Sequence, residues 1–244
     1  MRSMQGFSLV CILSFKSNIM TNSVKSVTII LALVAGFASV QAQSLSIGVR
    51  GGMNLANVAV EDEDDVEFDN RSGLDIGLLL NIGISESFSI QPEIHYMQKG
   101  YRFEFEEEFF GEIISIDQDV LLNYLEVPVL AKLALGNETI QFMINAGPSL
   151  GYALNGKVES EIFGEKEEED IDFSDDENED FNRLDFSLLF GAGIGFNTGP
   201  ATIFVDARYL LGLSTWGDTE DVDVPNVRNR GLGFGLGVLV PIDQ

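Results

Sequence analysis

The chain has 244 residues, with 39 acids against 14 Lys and Arg, and its net charge is −25. That balance excludes nucleic acid as a partner, because phosphate backbones are bound by clustered Lys and Arg. The one cysteine, Cys11, lies ahead of the regularly patterned region, so cysteine nucleophiles, cysteine-ligated metals and disulfides are excluded from the rest of the chain.

In chain order, Lys25 and the apolar run 27–40 lead into Val40-Gln41-Ala42. A basic start, a short apolar stretch and a small-residue end predict a secretory signal peptide that begins at Met20 and is cleaved after Ala42. The earlier apolar stretch 7–15 is too short for a bilayer, which takes roughly 20 residues. Residues 1–42 hold Arg2, Lys16 and Lys25 but no acid, so cleavage leaves 11 bases against 39 acids, a net charge of −28.

Eight segments of alternating character follow: Leu45 to Asn54, Gly73 to Ile84, Phe88 to Phe103, Asp119 to Leu135, Thr139 to Asn155, Arg183 to Thr198, Ala201 to Ser214 and Asn229 to Val240. In the second, Leu74, Ile76, Leu78, Leu80, Ile82 and Ile84 share one face while Asp75, Gly77, Asn81 and Gly83 share the other. A period of two predicts a strand with one apolar face. In the sixth, Leu184, Phe186, Leu188, Phe190, Ala192, Ile194 and Phe196 oppose Asp185, Ser187, Gly191, Gly193, Gly195 and Asn197. In the eighth, Leu232, Phe234, Leu236, Val238 and Val240 oppose four glycines between Gly231 and Gly237.

The connections alternate as well. Those after the second, fourth and sixth segments are the turn formers Ser85-Glu86-Ser87, Gly136-Asn137-Glu138 and Gly199-Pro200. The others, near 55–72, 104–118, 156–182 and 215–228, are long, and within them the segments 61–69, 104–112, 159–180 and 218–223 hold 29 of the 39 acids. Phe105, Phe109 and Phe110 among those acids predict that the third and fourth strands extend past the bilayer as a hairpin. An even number of strands, short turns at one end and long acidic connections at the other predict an all-β fold, an eight-stranded antiparallel up-and-down transmembrane β-barrel with both termini periplasmic. Bulky residues on one face and glycine on the other suit a narrow barrel whose large side chains meet lipid. Phe88, Tyr96, Tyr101, Phe103, Tyr124, Tyr152, Phe181, Tyr209 and Trp216 are expected in the aromatic girdles at its interfaces.

Four stretches carry a family likeness: Ser46-Ile47-Gly48-Val49-Arg50-Gly51-Gly52-Met53-Asn54, Tyr124-Leu125-Glu126-Val127-Pro128-Val129-Leu130-Ala131-Lys132, Asn145-Ala146-Gly147-Pro148-Ser149-Leu150-Gly151 and Phe190-Gly191-Ala192-Gly193. With them the chain from Gln43 to Gln244 resembles the outer-membrane β-barrel domain family of Gram-negative envelopes, the porin-family or PorT-like barrels, OmpA/OmpX-like in architecture. The resemblance implies a cell outer-membrane location, outer-membrane lipid and lipopolysaccharide as surroundings, and the barrel assembly machinery as a partner. Most members have no assigned biochemical activity. Barrels of this kind commonly end in an aromatic residue, whereas this chain ends Val240-Pro241-Ile242-Asp243-Gln244.

Two constellations could carry chemistry. By parity Arg50, Asp75, Glu93, His95, Glu126, Lys132, Asp185, Asp206 and Arg208 point into the lumen. Charges there must pair or meet water, which predicts a salt-bridged plug and a loss of stability in Lys132→Leu. The single histidine, His95, lies two residues past Glu93 but lacks a serine at suitable strand spacing, so catalysis is not expected. In the third long connection Asp170, Asp172, Asp175 and Asp176 are hard oxygen ligands that could hold divalent cations loosely, although a solvated charge run is the ordinary reading. No cofactor is expected: the glycine-rich stretches lie within strands, with no helix to follow. The expected function is that of a non-enzymatic integral outer-membrane protein with a structural or surface role and at most narrow-pore solute passage. An accessory role in a secretion or motility apparatus and a lipid-modifying activity are the alternatives.

Overall fold

The structure, a computed structural model, describes residues 44–60, 69–109, 112–162, 165–171, 183–215 and 227–242. Among them are nine strands: β1 Ser44–Val60, β2 Arg71–Gly83, β3 Phe88–Phe109, β4 Glu112–Gly136, β5 Ile140–Ile162, β6 Glu165–Ile171, β7 Leu184–Asn197, β8 Thr202–Gly212 and β9 Val227–Pro241. All pairings are antiparallel, and the order β4-β3-β2-β1-β9-β8-β7-β5 closes on itself because β4 also pairs β5. Eight strands therefore form a closed barrel, and closure leaves its membrane-length edges paired.

The eight strands coincide with the eight alternating segments, and the differences lie at their ends. β3 and β4 continue as a hairpin in register to Phe109↔Glu112, as the phenylalanines among the acids led us to expect. Phe110 itself, like Phe181, Trp216 and the signal segment through residue 42, lies outside the described residues. β1 runs on to Val60 because Val60 still pairs Val227 of β9.

β6 has no counterpart among the alternating segments. Its sequence, Glu165-Lys166-Glu167-Glu168-Glu169-Asp170-Ile171, has poor intrinsic strand preference. Tertiary context overrides that preference. β5 pairs β7 only as far as Tyr152↔Leu184, so its outer part would present an open edge, and β6 folds back along it from Gly156↔Ile171 to Ile162↔Glu165. The Lys157 ammonium bonds Glu168 across this pair, and that carboxylate raises the pKa of the exposed lysine above its ordinary value.

The short turns close as their residues dictate. Asn137 accepts the amides of Thr139 and Ile140 at 2.9 and 2.8 Å, and Gly199 takes φ 93°, which glycine adopts without strain. Across the barrel wall the alternation sorts residues sharply. Leu78, Phe142, Ile144 and Leu236 on the outer face are 58 to 63% exposed, while Arg50, Glu93, His95 and Glu126 on the inner face are at most 2% exposed. A soluble barrel would be arranged the other way round, so the exterior is built for a hydrocarbon surrounding.

Two aromatic expectations are corrected. Tyr124 is 2% exposed and lies inside the barrel, and Tyr101 packs against the same inner cluster, so neither is in a girdle. Tyr124 shares parity with Glu126 and Lys132 on β4, and β5 opposite gains an extra residue at the register shift between Asn123 and Tyr124.

Candidate functional site

Among the described residues, the lumen is where the fold concentrates charge away from water. Its centre is a closed ring of six side chains from β1, β2, β3 and β8. Arg50 bonds Asp75, and Asp75 Oδ1 lies 2.6 Å from His95 Nδ1. His95 Nε2 lies 2.6 Å from Glu93 Oε2, and Glu93 accepts from Arg208 Nη1 at 2.6 Å and Nη2 at 3.1 Å. Arg208 Nε donates to Asp206 Oδ2 at 2.9 Å, and Arg50 Nη2 returns to Asp206 Oδ1 at 2.8 Å.

Each ring nitrogen of His95 lies within hydrogen-bond distance of a carboxylate that also accepts from an arginine. Arginine and carboxylate alternate around the rest of the ring. Glycines make room for this ring: a Cβ at Gly77 would run into the His95 imidazole, and one at Gly235 into the Arg50 guanidinium. Lumen space, more than turn formation, therefore accounts for glycine on the inner faces of β2 and β9.

A second cluster lies toward the long connections. Lys99 Nζ is 2.8 Å from both Glu126 Oε2 and Asp185 Oδ2, and 4.5 Å from the centre of the Tyr124 ring. Ser149 and Ser187 donate to Glu126 at 2.6 and 3.2 Å, and Asn229 and Ser214 to Asp185 at 2.8 and 2.9 Å. Toward the short turns Lys132 Nζ donates to Gln91 Oε1 at 3.1 Å and lies 5.8 Å from the Phe204 ring. Gln91 Nε2 in turn donates to Glu93 at 2.5 Å, linking Lys132 to the central ring. In all, the buried cations Arg50, Lys99, Lys132 and Arg208 and the imidazole of His95 face the five anions Asp75, Glu93, Glu126, Asp185 and Asp206.

All nine lumenal residues singled out by parity are buried: six form the central ring, Lys132 joins it through Gln91, and Glu126 and Asp185 lie in the separate Lys99 cluster. Lys99 was missed, although the signal was present: it continues the row Glu93, His95, Met97 along β3. The acidic candidates are not brought together. Asp170 stands exposed on β6 opposite Lys157, while Asp172, Asp175 and Asp176 lie outside the described residues. Among the described residues no group of three or more His, Cys, Asp or Glu is placed to hold a metal ion.

Apolar clusters bracket the network. Leu79, Met143, Phe204 and Leu239 fill the lumen at the short-turn end. Val58, Val120, Leu122, Tyr124 and Ala153 fill it at the other. Among the described residues, ionic clusters thus stack between two apolar ones along the interior.

The model of a family described as outer membrane protein beta-barrel domain matches residues 41–216. The chain belongs to that family. It is accordingly an integral outer-membrane protein, and its outward apolar faces are lipid-facing. Similar solved structures include Ail, the attachment invasion locus protein of Yersinia pestis, at 19% identity and TM-score 0.39, covering 81% of this chain and 99% of that one. The outer membrane protein OprG from Pseudomonas aeruginosa is similar at 10% identity and TM-score 0.43, with 83% and 98% covered. The outer membrane enzyme PagL is similar at 13% identity and TM-score 0.37, with 81% and 99% covered. No curated protein matches this outer-membrane barrel chain.

Proposed function

We propose that this protein is a non-enzymatic structural barrel of the outer membrane, which works through its exterior and not through its lumen. The observation that carries the reading is the filled interior, an ion-paired network capped at both ends by apolar clusters. A solute path would have to break the ring of Arg50, Asp75, His95, Glu93, Arg208 and Asp206, and every break leaves a buried charge unpaired. Catalysis at His95 is disfavoured for the same reason: both its ring nitrogens are engaged and the residue is 1% exposed. We infer further that the long acidic connections face the cell exterior and both termini the periplasm, with assembly by the barrel machinery. Support comes from the short turns all lying at one end, as in outer-membrane barrels generally.

The test is conductance in planar bilayers with refolded protein, verified by heat-modifiable gel migration. Wild type is expected to give no current steps in molar KCl. Reproducible steps would overturn the closed-lumen reading.

A further inference from the structure

Past the point where β7 leaves β5, β6 is the last strand of the sheet. Among the described residues it pairs β5 alone, from Gly156↔Ile171 to Ile162↔Glu165, and nothing pairs its other side. The amides and carbonyls on that side form an open strand edge, a template that another chain can extend. The edge is not apolar: residues 165–170 all stand exposed, and five of the six are acids.

The two faces of β6 differ in how their charges are paired. On one, Lys166 meets Glu161 of β5 at 3.2 Å, Lys157 of β5 bonds Glu168, and Asp170 lies opposite Lys157. On the other, Glu165, Glu167 and Glu169 lie opposite the uncharged Ile162, Ser160 and Val158. Among the described residues none of these three carboxylates is in an ion pair. Alternate residues of a strand stand roughly 6.5 Å apart, so three like charges repel along one row. A second copy of β6 in register would set three more carboxylates against them, and like charges directly opposite on paired strands are destabilising. A strand with Lys or Arg at alternate positions does the reverse. It completes the ladder and brings a cation opposite each carboxylate.

We propose that the open edge of β6 takes up an extended, Lys- or Arg-bearing segment of a partner protein as an added strand, whose alternate basic residues meet Glu165, Glu167 and Glu169. Backbone bonds along the edge select an extended chain, and the carboxylate row selects its sequence and register. A net charge of −25 steers such a segment toward the barrel. An exposed cross-strand pair of opposite charge is worth about twofold in affinity, so three give about eightfold. The docking rests on the exterior role proposed above only for its use in the cell, and a conducting lumen would leave it standing.

The experiment uses the barrel refolded in nanodiscs of zwitterionic lipid, with empty discs as the blank and fluorescence anisotropy at low salt as the readout. The probes are a labelled peptide that alternates lysine with threonine and carries three lysines, the same peptide with glutamine for each lysine, and the lysine peptide N-methylated along its backbone. Wild type is expected to bind the lysine form about eightfold tighter than the glutamine form. Glu165→Gln/Glu167→Gln/Glu169→Gln should lose that preference. The N-methylated form keeps every charge but cannot donate to the edge, and it should not bind. Equal binding of the lysine and glutamine forms, an unchanged preference in the folded triple variant, or undiminished binding of the N-methylated form would each overturn the proposal. Disulfide-linked pairs of barrels formed by Glu167→Cys would place a second copy on this edge and overturn it as well. Should the triple variant fail to give a heat-modifiable band, Glu167→Gln alone is read in the same way, at about a twofold loss of preference.

Discussion

Replacing Lys99 with methionine keeps the length of the side chain and removes its charge. Glu126 and Asp185 are then left facing each other without the ammonium that now lies 2.8 Å from each. Breaking a buried pair by removing one partner costs about 3–5 kcal/mol. The four neutral hydrogen bonds from Ser149, Ser187, Asn229 and Ser214 persist, and at about 1 kcal/mol each they keep the loss near the lower limit. With a urea slope of about 1–3 kcal/mol per molar, a loss of about 3 kcal/mol lowers the unfolding midpoint by about 1–3 M. The assay is reversible urea unfolding in lipid vesicles, followed by tryptophan fluorescence and gel mobility. Adding Glu126→Gln should recover part of the loss, giving a coupling of about 0.5–3 kcal/mol in the double-mutant cycle. A midpoint for Lys99→Met equal to that of wild type would refute the reasoning. Lys132→Leu makes the contrast. Parity alone predicts destabilisation, but Lys132 bonds only the neutral Gln91, whose Oε1 keeps a 3.0 Å bond from Asn81 when the lysine is gone. Its expected cost is about 1 kcal/mol or less.

Three further outcomes are expected. Gly77→Ala and Gly235→Ala should each lower stability by about 1–3 kcal/mol through overpacking against His95 and Arg50, while Gly51→Ala, whose Cβ meets nothing within 4 Å, should leave the urea midpoint alone. Leu78→Arg, at a position 63% exposed, should cost about 2–4 kcal/mol in a bilayer; a change within about 0.5 kcal/mol would mean that this face meets water. His95→Leu removes the imidazole between Asp75 and Glu93 and should cost more than His95→Gln, whose amide can still donate to one of them; equal midpoints for the two variants would argue against a hydrogen-bonding role at 95.

Much of this barrel is written locally. Alternation of bulky and small residues assigns every barrel strand and its lipid face, because a strand turns successive side chains to opposite sides whatever its neighbours are. The three short turns follow from their own Asn, Gly and Ser residues. The inward direction of nine charges follows by the same parity, and Lys99 and Tyr124 were legible on that basis too. What the linear pattern does not contain is partnership. That Arg208 meets Glu93, 115 positions away, and that Lys99 instead of Lys132 answers Glu126, depend on register and closure, which bring β3 opposite β8 across the lumen. β6 is the clearest case: its seven residues oppose strand formation by composition, and only the open edge left by β5 where β7 turns away makes a strand of them. Side-chain direction is a property of one strand, whereas pairing belongs to the closed barrel.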